Sequence, residues 1–281
     1  MPDIGAHVSI AGGVQNAPLR ARQEGCETFQ CFTRSPQGGP APSLTPDVLD
    51  AFRRNMETAQ IDHFVIHAPY YINLASLDDR IRHASIRVIR EELERGSILG
   101  ARFVMFHPGS FKDQSQDAAI STVQRGIEAV LRDYAGTCAL LVEVSAGAGN
   151  VLGDTFEENA EMIREARNMR GFGGICFDTC HAFASGYDFR TPEAARQVLA
   201  EFERIIGLRL LKLSHVQDSK TDLGGKRDRH EHVGMGFIGR DGLTALLKTP
   251  EFMGIDWILE TESEGRDRDI ATLKEIRATM A

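Results

Sequence analysis

The chain is expected to fold as one α/β domain, a (β/α)8 barrel of the TIM type spanning residues 1–281. Three observations predict it. Short β-branched or aromatic runs recur eight times, their starts mostly about 33 to 47 residues apart, which leaves room for one helix and two loops per repeat. Helix start signals occupy the intervals between runs. No Pro/Gly/Ser-rich linker divides the chain, and Gly12-Gly13 does not form the G-x-G-x-x-G turn that a doubly wound open sheet carries after its first strand.

The expected strands are, in order, 4–7, 28–32, 63–67, 103–107, 139–143, 174–178, 210–215 and 257–260. Between them, Thr45-Pro46-Asp47 opens a helix with a cap followed by proline, which suits the first helical position. Residues 78–96 carry Ile86, Ile89 and Leu93 at a 3-then-4 spacing that places them on one helical face. Asp154-Thr155 and Thr191-Pro192 open two more helices, each followed by acid in the first turn, where the helix dipole favours negative charge. Gly100, Gly136 and Gly207 stand where a helix must reverse into the next strand.

Composition narrows the function. With 32 basic and 40 acidic side chains the formal net charge is −8, which argues against a general polyanion binder that would need clustered Lys and Arg. No run of about 18 apolar residues is long enough to span a bilayer, and Met1-Pro2-Asp3-Ile4-Gly5 lacks the basic start of a secretion signal. Five cysteines without a C-x-x-C pair fit a reduced protein, so a cytoplasmic location is expected.

The most informative pattern is where the ionisable residues fall. The expected strands end in His7, His67, His107, Glu143, Asp178, His215 and Glu260, each breaking an apolar run with a side chain that can bind metal or move protons. Parallel barrel strands all end on one face, and that face carries the chemistry. His181, three residues past Asp178, and the pair Asp228 and His230 join them from loops. Taken singly, a strand-end histidine satisfies a backbone carbonyl as readily as it holds an ion, and a strand-end carboxylate serves equally well as a cap. His63, at the opposite strand end, and His83, in mid-helix, are read as structural, and Cys176 and Cys180 as packing residues. Taken together, five imidazoles and four carboxylates at one mouth suit Zn²⁺, with Mn²⁺ or Fe²⁺ as alternatives, and are enough for two or three ions if a carboxylate bridges. Clustered ions are the usual solution to phosphate-ester hydrolysis, and three of them would leave the ligand set with a charge of about +2 despite the acidic chain. Lys226 and Arg227 lie close enough in the chain to join Arg34, Lys220 and Arg229 as phosphate contacts on the rim.

The stretches G-A-H-V-S (5–9), H-A-P-Y (67–70), H-P-G (107–109), L-V-E-V-S-A-G (141–147), D-T-C-H (178–181), H-V-Q-D-S-K (215–220), D-R-H-E-H-V-G (228–234) and L-E-T (259–261) resemble the endonuclease IV family of zinc-dependent apurinic/apyrimidinic endonucleases. The resemblance implies a TIM barrel with three zinc ions per chain, one site tolerating Mn²⁺. It assigns His67 and His107 to one ion, Asp178, His215 and Glu260 to a second with Glu143 bridging the two, and His181, Asp228 and His230 to the third. It implies cleavage 5′ to abasic sites in duplex DNA, leaving a 3′-hydroxyl and a 5′-deoxyribose phosphate, together with trimming of blocked 3′ ends. Glu143 is the candidate catalytic residue, placed to orient the attacking water. The candidate DNA contacts are His7, Arg34, Gln37, Tyr70, Tyr71, Lys220 and Arg229. The chain departs from the family pattern where Gln37 and Gly39 replace an Arg and a Trp, where Tyr71 replaces a Leu after Tyr70, and where Gln217 replaces an Asn. A monomer acting on DNA at the nucleoid, with no membrane association, is expected. The rival readings are a sugar isomerase or epimerase on the same barrel, which needs fewer ions, and a DNA-binding protein whose metals only brace the fold.

Overall fold

The structure, a computed structural model, describes residues 1–112 and 114–279, so the last two residues of the expected domain lie outside it. Its elements are β1 (Ile4–His7), α1 (Ala17–Gln23), β2 (Thr28–Cys31), α2 (Pro46–Ala59), β3 (Val65–His67), α3 (Asp79–Leu99), β4 (Phe103–Phe106), α4 (Gln116–Leu131), β5 (Ala139–Glu143), α5 (Phe156–Met162), β6 (Phe172–Asp178), α6 (Thr179–Ser185), α7 (Pro192–Ile205), β7 (Leu211–His215), β8 (Asp218–Ser219), β9 (His230–Glu231), α8 (Gly239–Leu247), α9 (Pro250–Met253), β10 (Asp256–Leu259) and α10 (Arg266–Ala278). Strands β1–β7 and β10 close a parallel barrel, with β10 returning to pair with β1, and β8 and β9 form a separate antiparallel ribbon.

The helices start where local chemistry directs. The side chains of Thr45, Asp78, Ser115, Thr155 and Thr191 each accept from a backbone N–H in the first turn of α2, α3, α4, α5 and α7. Gly100 and Gly207 take left-handed backbone at the expected reversals, but after α4 that conformation falls on Asp133 (φ 56°) and not on Gly136. Aspartate tolerates the left-handed region because its short polar side chain bonds locally. Several expected strands begin or end differently. His63 and Phe64 precede the paired part of β3, with the His63 carbonyl taken by the Thr28 hydroxyl at 3.0 Å, and His107 and Glu260 lie one residue past β4 and β10.

Two apolar layers hold the barrel. Its interior is plugged by Val65, Met105, Leu141, Cys176, Leu213 and Ile258, and a larger shell that includes Phe29, Phe52, Phe64, Phe177, Phe202, Phe252 and Trp257 seals strands against helices. Each such side chain, fully buried, contributes about 1.5–3 kcal/mol relative to exposure. Gly5 is required by close approach: a Cβ there would sit 2.2 Å from the Thr28 carbonyl oxygen on the neighbouring strand.

The chain ends are tied together by Glu27. Its carboxylate accepts from the Ile4 N–H at 3.0 Å and from Arg277 at 2.5 and 2.7 Å, joining β1 to α10. Burial alone would raise the Glu27 pKa, but the Arg277 guanidinium and the Ile4 N–H outweigh it and hold the pKa below the usual carboxylate value. A depressed folded-state pKa contributes stability above the unfolded value and loses it as pH falls through the folded one. Glu27→Gln is therefore expected to lower stability by about 1–2 kcal/mol at pH 7. The gap in thermal midpoint between variant and wild type should close as the pH is lowered below about 4. A gap of the same size at pH 3 would show that the charge is not what holds the ends.

Candidate metal centre

Strand alternation builds the site. Side chains two residues apart share a strand face, so the residue two past each interior plug position also points into the barrel, one layer nearer the mouth. Val65, Met105, Leu141, Cys176, Leu213 and Ile258 are followed at that spacing by His67, His107, Glu143, Asp178, His215 and Glu260. On β1 and β2 the corresponding residues are His7 and Gln30, paired in register. The register slips by two residues at four seams, Gln30 facing Val65, His67 facing Met105, Glu143 facing Cys176 and His215 facing Ile258, a shear of eight around the barrel. Two of the three loop candidates, His181 and His230, are placed separately. Asp178 Oδ1 caps α6 by accepting from the His181 N–H at 2.8 Å, and the β8–β9 ribbon, pinned to α8 through Asp218, carries His230 to the mouth.

The nine candidate ligands converge in three groups. His67 Nε2 and His107 Nε2 lie 3.2 and 3.5 Å from Glu143 Oε2. His215 Nδ1 lies 2.9 Å from Glu143 Oε1, 3.5 Å from Glu260 Oε2 and 3.7 Å from Asp178 Oδ2. His181 Nε2 and His230 Nε2 are 3.4 Å apart, and Asp228 Oδ1 stands 3.3 and 3.2 Å from them. Donors bound at 2.0–2.1 Å to one tetrahedral zinc stand about 3.3 Å apart, so all three groups have the right span.

Hydrogen bonding decides what those spans mean. His67, His181 and His230 direct Nδ1 at the backbone carbonyls of Ala68 (2.6 Å), Val144 (2.9 Å) and Glu260 (3.4 Å). With that proton placed, a neutral imidazole presents only a lone pair at Nε2. Each Nε2 then faces carboxylate lone pairs or another such nitrogen, an arrangement that is repulsive unless a cation lies between. Donor types, spans and lone-pair directions all fit divalent metal.

The protein alone answers the same demand with protons. Burial disfavours the imidazolium of His181, but Asp178, Asp228 and Glu143 outweigh it and hold the pKa well above the ordinary histidine value. His215 is likewise held up against burial by Cys176, Glu260 and Glu143. Burial would raise Glu143, yet His107, His215 and His181 keep it well below the usual carboxylate range. Burial dominates at His107 and pushes it down to about 4.

The residues expected to touch DNA divide into two groups. Gln37, Lys220 and Arg229 are exposed, Tyr70 and Tyr71 are 62% and 41% exposed, and Lys226 reaches Asp154 at 3.1 Å. Tyr70 packs edge-on against Phe32 at 5.5 Å and beside His67. With Tyr71, His107, Ser145, His181 and Asp228 it lines a cleft of about 410 Å³ opening from the metal ligands. His7 points into the ring, its Nδ1 2.9 Å from Gln30 Nε2 and 3.8 Å from Glu260 Oε1. Arg34 is a correction. It is not on the rim but buried, with Nε 2.5 Å from the fully buried Glu92 on α3, which also takes the Thr33 hydroxyl at 2.6 Å. A buried carboxylate needs a buried cation, and Arg34 is consumed by that need. His63, His83 and His232 stand apart from the centre, His63 bonded to Asp256 at 2.8 Å, His83 exposed on α3 and His232 bonded to Asp269 at 2.7 Å.

Two glutamines were not among the expected site residues. Gln30 is fully buried between His7, His215 and Glu260, and Gln217 bonds Asp178 and accepts from the Glu260 N–H at 3.2 Å. A signal for Gln30 was present, since it is a polar residue in an otherwise apolar run, two past Thr28.

Fold and site together define a class, a (β/α)8 barrel whose strand-end His, Asp and Glu side chains gather into groups that could hold metal ions. The AP endonuclease 2 family, described as a xylose isomerase-like TIM barrel, matches residues 19–280. The chain is 41% identical over 265 residues to the probable endonuclease 4 of Chlorobium phaeobacteroides, covering 92% of this chain and 91% of that one. It is 36% identical over 276 residues to the probable endonuclease 4 of Aquifex aeolicus, with 97% of each covered. The crystal structure of endonuclease IV from Thermus thermophilus superposes with a TM-score of 0.84 at 34% identity, covering 99% and 98% of the two chains. A D-tagatose 3-epimerase-like protein, at 21% identity and a TM-score of 0.75, shares the fold. The chain belongs to the endonuclease IV family and is an enzyme of the nuclease class.

The placement of Arg34 carries its own test. Arg34→Ala should destabilise the protein by about 3 kcal/mol, because Glu92 is left buried and uncompensated. Denaturant unfolding measures this. A variant of wild-type stability but weakened DNA affinity would return Arg34 to the rim.

Proposed function

We propose that this enzyme incises duplex DNA on the 5′ side of abasic sites, leaving a 3′-hydroxyl and a 5′-deoxyribose phosphate, and also trims blocked 3′ ends. It does so with three zinc ions held by His67, His107, Glu143, Asp178, His181, His215, Asp228, His230 and Glu260. One observation carries the reading: at the catalytic end of the barrel, carboxylate oxygens and imidazole nitrogens of these nine side chains face one another at 2.9–3.8 Å, the span of donors that share a cation. Family membership supports the substrate.

Bound there, divalent zinc supplies positive charge for the phosphoryl group and lowers the pKa of water. The chain's own residues do the rest. Glu143 holds two ligand groups in fixed relation through its separate oxygens, and from the centre of the site it orients the attacking water. Tyr70 and Tyr71 stand at the mouth, where two exposed rings can fill the space left by a nucleotide swung out of the stack. An abasic nucleotide is extruded at low cost because no base pair is broken. Gln37, Lys220 and Arg229 on the exposed rim meet the backbone. His7 lies in the ring of strand-end residues and contacts a sugar or phosphate entering it.

Purified protein incubated with an abasic duplex should nick it, lose activity to chelator and regain it with zinc, with about three zinc ions per chain by elemental analysis. Fewer than two tightly held ions, or cleavage indifferent to chelator, would defeat the proposal. His230→Ala should lower cleavage by at least about 100-fold, since the third group loses a ligand outright. Tyr71→Ala should weaken binding to abasic duplex by about 1–3 kcal/mol, the worth of one stacked ring, with a smaller effect on undamaged duplex. Equal loss on both duplexes in a binding titration would assign Tyr71 to general contact.

A further inference from the structure

We propose that Gln30 is a positioning residue of the metal centre: its side-chain amide selects which nitrogen of His215 faces the cluster and holds the Glu260 carboxylate in place. The proposal rests on the metal-dependent reading above. Gln30 lies on β2, which supplies none of the nine ligands, and its side chain has no access to solvent.

The orientation of the amide follows from its neighbours. Gln30 Nε2 is 2.5 Å from Glu260 Oε1, and an ionised carboxylate only accepts, so the NH2 end must face it. The second N–H points at His7 Nδ1, 2.9 Å away. That leaves Gln30 Oε1 facing His215 Nε2 at 2.8 Å, and because an amide oxygen only accepts, His215 must carry its proton there. Nδ1 is thereby the nitrogen presented to Glu143, Asp178 and Glu260.

This reverses the arrangement at His67, His181 and His230, which bond a backbone carbonyl through Nδ1 and present Nε2. A backbone carbonyl survives any substitution. The partner of His215 is a side chain, so its tautomer and ring angle depend on one residue. The same amide restrains Glu260, which lies beyond the end of β10 and lacks strand pairing. Two of the three ligands that complete the middle group with Glu143 thus lean on Gln30, whereas the His181–Asp228–His230 group does not touch it.

The test uses the zinc-loaded protein and Gln30→Met, which keeps length and volume but removes both arms, with Gln30→Ala as a second variant. Titration with a chromogenic chelator should show one ion of the set released at about 10- to 100-fold lower chelator than in wild type, the others unchanged. The stabilisation conferred by zinc, read as the difference in midpoint between loaded and metal-free protein, should be smaller in the variant than in wild type. Long-range proton–nitrogen correlation spectra of histidine-labelled wild type should show His215 protonated at Nε2. Superimposable chelator curves, uniform weakening of every ion, an undiminished stabilisation by zinc, or a His215 proton on Nδ1 would each overturn the proposal. Wild type that binds no zinc would instead overturn the underlying reading, and the proposal with it.

Discussion

Everything at the mouth of this barrel is arranged around Glu143. Its carboxylate has no access to solvent, and its two oxygens face different partners, His67 and His107 on one side, His215 and His181 on the other. A buried carboxylate is unfavourable without positive charge beside it, because burial removes the hydration of the charge. Protons supply that charge in the free protein and divalent ions supply it better, since one ion satisfies several lone pairs at once. A site strained in this way toward cation binding does not have to be shaped by its metal.

The fold sustains such a centre by keeping it in one layer. Below it lie Val65, Met105, Leu141, Cys176, Leu213 and Ile258, which exclude water from the barrel and fix the strands in register. Because alternation ties each ligand to the plug residue two positions earlier, the polar ring inherits the rigidity of the apolar one. The third group is the exception. It depends on a helix cap, Asp178 on His181, and on a two-stranded ribbon, and it includes Asp228, whose side chain is half exposed. A ligand set at the rim is open to solvent on one side, which is where a phosphodiester must approach.

An acidic chain that handles DNA has to localise its attraction. The net charge of −8 opposes the polymer, so attraction has to come from local features such as the exposed basic loops. Arg34 illustrates how composition misleads on this point, since its buried charge is paired with Glu92 and Glu91. The exposed rings of Tyr70 and Tyr71 stand at the same mouth and carry no charge.

The barrel and the convergence of its strand-end side chains were legible along the chain because both follow from short-range periodicity. An alternating strand must place residues two apart on one face, and parallel strands must end together, so His67, Glu143 and Glu260 could be brought to one mouth without coordinates. Caps at Thr45, Asp78, Thr155 and Thr191 are equally local, set by a side chain reaching its own helix. What folding alone settled depends on partners far off in the sequence. Whether Arg34 faces water is decided by Glu92, 58 residues on, and the role of Gln30 by His215 and Glu260, 185 and 230 residues away. No periodicity encodes such pairings, because they arise from packing one wall of the barrel against another.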